Sequence, residues 1–278
     1  MSPEFTALQT AMMQRALHLA ASAGNTTSPN PKVGCIIAHG EQIVGEGFHV
    51  QAGAPHAEVH ALRQAGDLAR GATAYVTLEP CSHTGKTPPC ANALIEAGVA
   101  EVICAMVDPN PQVAGQGLAR LQAASIHTAH GLLGEQAQAL NRGFLSRIQR
   151  KRPFLTLKLA ASLDGKTALA NGDSQWITGA AARADVHKER AARNAIITGS
   201  GTVLADNPQL NVRGVACLKQ PVRVVLDRHL RSPVTAQIFD TRLAPTWLFT
   251  TAEHDTRAYS ARGVRCFAWP EAHAYNNL

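Results

Sequence analysis

Apolar positions along the first 150 residues follow two different periods. Phe5, Leu8, Met12, Ala16, Leu19 and Ala23 recur at helical spacing, which predicts a helix over 4–23. Gly24 and Asn25 stop it. Residues 33–38 and 42–48 are β-like runs on either side of His39, Gly40 and Glu41, the pattern of a hairpin. The pattern then gives a helix over 57–69 closed near Gly71 and a strand over 73–78. Residues 79–89 are rich in Pro, Gly, Ser and Thr and read as a loop. A helix over 90–97 ends at Gly98, a strand covers 101–107, and a turn begins at Asp108. Helical stretches follow at 117–124 and 135–149. This succession predicts a sheet covered by helices, an α/β layer architecture.

Pro153 marks a boundary between a unit over 1–150 and a second over 151–278. Beyond it a strand is expected at 154–160, a helix at 180–192 and a short strand at 195–198. Further strands are expected at 222–227, 247–250 and 264–269. The 278 residues suffice for two domains, each with its own core. The second unit is again α/β.

Composition alters this picture little. The hydrophobic share is 45% and the net charge +6, and Arg142, Arg147, Arg150, Lys151 and Arg152 carry part of that excess in one stretch. The stretch reads as a solvated helix end; the overall charge suits a phosphate-bearing substrate. No run of 18 apolar residues predicts a membrane span, and residues 1–5 do not resemble a secretory signal. Six scattered cysteines point to a reducing, cytoplasmic setting, with Cys35 and Cys104 as core thiols.

Chemistry concentrates at His56, Glu58, Cys81 and Cys90. A catalytic zinc takes three protein ligands and leaves one position for water, whose pKa the metal lowers to about 7. One imidazole and two thiolates supply that set. A carboxylate two residues from the histidine, at a helix start, can move protons without binding the metal. His-x-Glu followed by Pro-Cys-x-x-Cys is the signature of zinc deaminases acting on nucleobases. Here residues 82–89 separate the cysteines, eight in place of two. Each half alone is weak, because a His-Ala-Glu commonly starts a surface helix and two cysteines can be core thiols. Their context is stronger: Cys81 follows a strand, and Cys90 opens a helix whose dipole favours a thiolate. His60 lies one turn after His56, yet the protease pattern needs a glutamate where Ala57 stands; His60 reads as structural. His83 lies in the loop.

Longer stretches carry a resemblance. Pro29-Asn-Pro-Lys-Val-Gly-Cys35, Pro55-His-Ala-Glu-Val-His60, Thr77-Leu-Glu-Pro-Cys-Ser-His83, Gly85-Lys-Thr-Pro-Pro-Cys90 and Asp108-Pro-Asn-Pro-Gln-Val-Ala-Gly115 resemble the bifunctional bacterial riboflavin-biosynthesis deaminase–reductases. The long cysteine spacing is that family's. The resemblance implies a cytidine-deaminase-like three-layer αβα domain followed by an α/β domain similar to dihydrofolate reductase. It implies zinc on His56, Cys81 and Cys90, with Glu58 as proton shuttle. Asn30, His49 and Lys86 would meet the pyrimidine and its phosphate arm; an amide suits a base edge and a lysine a phosphate.

In the second half, Lys158 to Gly165, Ser174 to Thr178 and Gly199 to Pro208 resemble the family's reductase domain, which uses NADPH. By match, Ala160, Trp176, Thr202 and Asp206 would touch the nucleotide, and Lys158, Ser174, Arg190, Leu210 and Arg213 the substrate. A cation at Arg190 or Arg213 suits a sugar phosphate. The family continues past a strand like 264–269 with a Glu-Gly-Gly-Pro-like segment and further strands, and this sequence ends at Leu278. Weak or absent reduction is therefore expected.

The partner implied is a small phosphorylated pyrimidine, with no nucleic acid and no membrane; a homo-oligomer is left open. Two competing readings are an RNA-base deaminase using residues 142–152, and a structural zinc module. The first lacks interleaved aromatics apart from Phe144. The second needs a fourth protein ligand, for which His83 is the candidate.

Overall fold

The computed structural model describes residues 4–82, 89–111 and 113–269. The chain divides into two compact units, Met1–Leu157 and Lys158–Leu278.

In the first unit, α1 (Ala7–Ser22) opens on a capping box: the Thr6 hydroxyl accepts the Gln9 N–H at 3.1 Å, and Gln9 Oε1 accepts the Thr6 N–H at 2.9 Å. There follow β1 (Gly34–His39), β2 (Gln42–Phe48), α2 (Ala57–Ala65), β3 (Thr73–Val76), α3 (Cys90–Ala97), β4 (Glu101–Cys104), α4 (Gln116–Ala123), β5 (His127–His130), α5 (Gly134–Leu140) and α6 (Arg142–Arg150). The strands form one sheet in the order β2-β1-β3-β4-β5. β1 is antiparallel to β2 and β3, whereas β3, β4 and β5 run parallel.

Strand alternation sorts the core onto two faces. Cys35, Ile37, Ala74, Val76, Val102 and Cys104 pack with Ala57 and Ala61 of α2, Leu94 of α3 and Leu118 of α4. Ile36, Ala38, Tyr75 and Ile103 pack with Met13 and Leu17 of α1 and Ala137 of α5. The result is the expected three-layer αβα, cytidine-deaminase-like arrangement. Close approach of α2 to β2 needs glycine: a Cβ on Gly47 of β2 would lie 2.7 Å from the Ala57 carbonyl oxygen. That glycine lets α2, which carries the site residues, lie flat on the sheet.

In the second unit, α7 (Ala180–Ala191), β6 (Ala195–Gly199), α8 (Ser200–Asp206), β7 (Val222–Leu226), β8 (Thr246–Thr251), α9 (Arg257–Ser260) and β9 (Arg265–Trp269) follow. The sheet is parallel, ordered β6-β7-β8-β9. Val225 and Leu248 of its inner face pack on Val203 of α8, Ile238, Phe239, Tyr259 and Val264. Arg223 is fully buried on β7, its guanidinium donating to the carbonyls of Gln209, Asp240 and Ala244. The bond to Gln209 holds one end of the 209–213 loop.

Some local expectations are corrected. Residues 154–160 form no strand, because no strand among the described residues pairs with them; Leu155, Leu157 and Leu159 stand 71–81% exposed. The helix expected over 135–149 breaks at Asn141, whose side chain leaves the helical pattern to grip the backbone of Lys32, accepting its N–H at 2.8 Å and donating to its carbonyl at 2.9 Å. The strand β5 and the helix α8 carry no strong sequence pattern and were not expected. No helix among the described residues is long and apolar enough to cross a membrane.

Candidate metal and deaminase centre

His56 is the N-cap of α2, with extended backbone (φ −74°, ψ 166°), and Glu58 falls in that helix's first turn. Cys81 follows β3 and Pro80, and Cys90 is the first residue of α3 after its N-cap Pro89. Two helix N-termini and one strand end thus bring the ligands together. The Cys90 N–H donates to Cys81 Sγ at 3.3 Å, and the Ala91 N–H to the Cys81 carbonyl at 3.1 Å. This is the environment that favours a thiolate.

His56 Nδ1 lies 3.3 Å from Cys90 Sγ and 3.7 Å from Cys81 Sγ. All three ligand atoms lie within 4.8 Å of one another. A tetrahedral zinc with Zn–N and Zn–S bonds of about 2.0 and 2.3 Å holds an N and an S about 3.5 Å apart. The residues present therefore fit the metal in both donor chemistry and spacing.

The electrostatics divide the two thiols. Hydrogen bonds from Cys90 and His56 pull the Cys81 thiol down to about 4, and the same bond together with burial pushes Cys90 up. The hydrogen bond to Cys81 raises His56. Glu58 is buried, only 3% exposed, and its carboxyl is raised chiefly by that burial. A buried carboxyl raised above its usual value, two residues from His56, suits a group that must both take and return a proton.

His49 and Asn30 stand next to this cluster. The His49 ring packs edge-on to that of His56, centroids 5.5 Å apart. Its Nδ1 faces the Pro55 carbonyl at 3.1 Å, so that nitrogen carries the proton, and Nε2 is the acceptor facing Asn30 Nδ2 at 3.5 Å. Burial lowers the His49 pKa. Lys86 and His83 lie outside the described residues.

Glu79 carries a role the motif reading did not give it. It is buried, and its carboxylate accepts four backbone N–H groups: Asp108 at 3.1 Å, Gly115 at 2.9 Å, Gly117 at 2.8 Å and Leu118 at 3.3 Å. It thereby fixes the strand end that delivers Pro80 and Cys81 against the start of α4. The glycines at 115 and 117, facing a glutamate two residues before a ligand, were the available sequence signal.

In the second unit, Arg190 Nη1 donates to the Asn211 carbonyl at 3.3 Å, beside Leu210 and Arg213. Thr202 and Asp206 lie on α8, both exposed. Trp176 is exposed with the Arg183 guanidinium 4.3 Å above its ring. Among the described residues, no hydrogen bond joins Lys158, Ala160, Ser174 or Trp176 to α8 or to residues 209–213. The structure brings together the deaminase set more fully than the reductase set.

Comparison with known proteins agrees with this division. Residues 7–131 match the family described as the cytidine and deoxycytidylate deaminase zinc-binding region, and residues 153–265 match the RibD C-terminal domain. The chain is 52% identical to riboflavin biosynthesis protein RibD of Haemophilus influenzae, over 92% of this chain and 72% of that protein. It is 51% identical to the Escherichia coli protein of the same name, over 96% and 75%. Among solved structures, Acinetobacter baumannii RibD superposes with a TM-score of 0.86 at 47% identity, covering 95% of this chain and 75% of that one. A Thermotoga maritima protein described as a diaminohydroxyphosphoribosylaminopyrimidine deaminase and 5-amino-6-(5-phosphoribosylamino)uracil reductase superposes at 0.87 with 39% identity and the same coverage. A zinc-binding deaminase region followed by a reductase region, shared with these relatives over nearly the whole chain, makes this protein a member of the riboflavin-biosynthesis RibD family of deaminase–reductase enzymes.

Proposed function

We propose that the first unit hydrolytically deaminates a diaminopyrimidinone bearing a 5-phosphoribosylamino group, and that the second, in place of the weak or absent reduction the sequence alone suggests, uses NADPH to reduce the ribosyl group to a ribityl chain. The observation that carries the first step is the triad of His56, Cys81 and Cys90 at tetrahedral spacing with buried Glu58 against it. When bound, zinc would supply the charge that lowers the pKa of water to about 7.

The chain's own residues do the rest. Glu58 takes a proton from the attacking water and passes it to the departing amine; burial raises its carboxyl above the usual value, which makes it a better proton acceptor. His49, with Nδ1 toward the Pro55 carbonyl, holds the Asn30 amide by its Nδ2, leaving the amide oxygen to accept from a substrate N–H. Lys86 would meet the phosphate. In the second unit, Arg190, Arg213, Leu210, Lys158 and Ser174 would bind the sugar phosphate, and Ala160, Trp176, Thr202 and Asp206 the NADPH. The cofactor supplies hydride; the protein supplies position and charge.

Ammonia release by the zinc-loaded protein tests the substrate class. Release is expected with the phosphoribosylamino-diaminopyrimidinone and not with cytidine or tRNA. Release from tRNA instead would overturn the assignment.

A further inference from the structure

We propose that His187 is a third phosphate-contacting residue of the second unit, donating its Nε2–H to the ribosyl 5-phosphate alongside Arg190 and Arg213. This rests on the reading of those two arginines as substrate-binding.

His187 and Arg190 are three residues apart on α7 and so share a face. Both meet the 209–213 loop. Arg190 Nη1 donates to the Asn211 carbonyl at 3.3 Å, and His187 Nδ1 accepts the Arg213 N–H at 3.1 Å. The Arg213 guanidinium is placed by its own loop, donating to Gln209 Oε1 at 3.0 Å and to Asn211 Oδ1. Gln209 is held in turn through its carbonyl by buried Arg223 at 3.0 Å.

Three basic side chains thus meet the 209–213 loop, and among the described residues no carboxylate lies within ion-pair distance of any of them. Burial and the two arginines lower the pKa of His187, and burial and Arg213 lower that of Arg190. Such uncompensated positive potential is what a bound phosphate relieves. The tautomer follows from the hydrogen bond: with Nδ1 accepting a backbone N–H, the neutral ring carries its proton on Nε2. Nothing among the described residues accepts that proton. A neutral donor can stand between two arginines without adding a third charge, which a lysine there could not do.

The test uses the whole chain labelled with ¹⁵N and titrated with ribose 5-phosphate, following the His187 ring and the Arg213 amide. Both resonances are expected to shift saturably with ribose 5-phosphate and not with ribose, and R190A should abolish the shift. H187N keeps an acceptor at the Nδ1 position but loses the Nε2 donor, and is expected to weaken binding about tenfold at the Arg213 amide. H187Q, which restores a donor near Nε2, should recover most of it. Unchanged affinity in H187N, with binding still lost in R190A, would leave the arginine reading standing and overturn the role of His187. No saturable shift in the wild-type protein would overturn both. A response to 2′-AMP but not to ribose 5-phosphate would assign the site to the nucleotide and overturn the substrate assignment.

Discussion

Glu79 Oε1 accepts the Gly117 N–H at 2.8 Å, and the same glycine admits the Pro80 carbonyl oxygen to within 1.9 Å of where a Cβ would stand. The start of α4 and the strand end that carries Cys81 are therefore locked by one carboxylate and one missing methyl group. Replacing Gly117 by Ala forces backbone against backbone, and Cys81 moves with Pro80. Gly117→Ala is expected to lower zinc affinity as well as Tm, read by competition with a chromogenic chelator and by thermal unfolding. Wild-type zinc affinity in a folded G117A protein would contradict this.

Glu79→Gln tests the same joint from its other side. A carboxamide keeps the shape but loses the charge, and its NH2 group faces N–H donors. Hydrogen bonds to a charged group contribute about 1.5–3 kcal/mol each, so a loss of at least about 2 kcal/mol in unfolding free energy is expected from denaturant titration. A change within about 0.5 kcal/mol would show that the four N–H groups are satisfied without the charge.

Glu58→Gln separates proton transfer from metal binding. The amide fits the cavity and leaves His56, Cys81 and Cys90 untouched, so zinc content should hold near one per chain while the deamination rate falls about 10²–10⁴-fold. Cys90→Ser should do the reverse in order: metal is lost first and activity with it. Metal analysis beside steady-state rates distinguishes the two. E58Q protein that lacks zinc would place Glu58 among the ligands instead.

Asp227 gives the second unit a pH signature. Burial alone would raise its carboxyl, but the N–H groups of Ser232 at 2.7 Å and Arg231 at 3.0 Å hold it below the usual aspartate value. A carboxyl depressed in the folded state contributes stability above its unfolded pKa of about 3.9 and loses it as pH falls through the folded value. Asp227→Asn should therefore destabilise the unit at neutral pH, and the gap from wild type should close below about pH 4. A gap that is constant from neutral pH into acid would show that the charge is not what matters.

How much of this was legible in the sequence depends on what each feature encodes. The helices at 7–22, 57–65 and 90–97 and the hairpin at 34–48 follow from strong periodicity and glycine stops. The metal set follows from residue types whose chemistry is shared by few alternatives. By contrast β5, four residues reading His-Thr-Ala-His, is an edge strand placed by its partner β4 and not by its own pattern. Residues 154–160 show the opposite failure: Leu155, Leu157 and Leu159 alternate as a strand should, but alternation cannot supply a neighbour. The Asn141 break arises from a hydrogen bond across 109 residues, which local reading cannot see. Glu79 was visible within a motif, yet its role needed the four amides that only folding brings to it.

The most direct test of the central assignment is the mass of the product after zinc-loaded protein meets the phosphoribosylamino-diaminopyrimidinone, first alone and then with NADPH. Hydrolytic exchange of an amine for oxygen makes the product about 1 Da heavier, and hydride transfer with a proton adds about 2 Da more. The account predicts the first shift without NADPH, its loss in E58Q and after zinc removal, and the second shift only when NADPH is present. A folded, zinc-bound protein that leaves the substrate mass unchanged would contradict the assignment of this site.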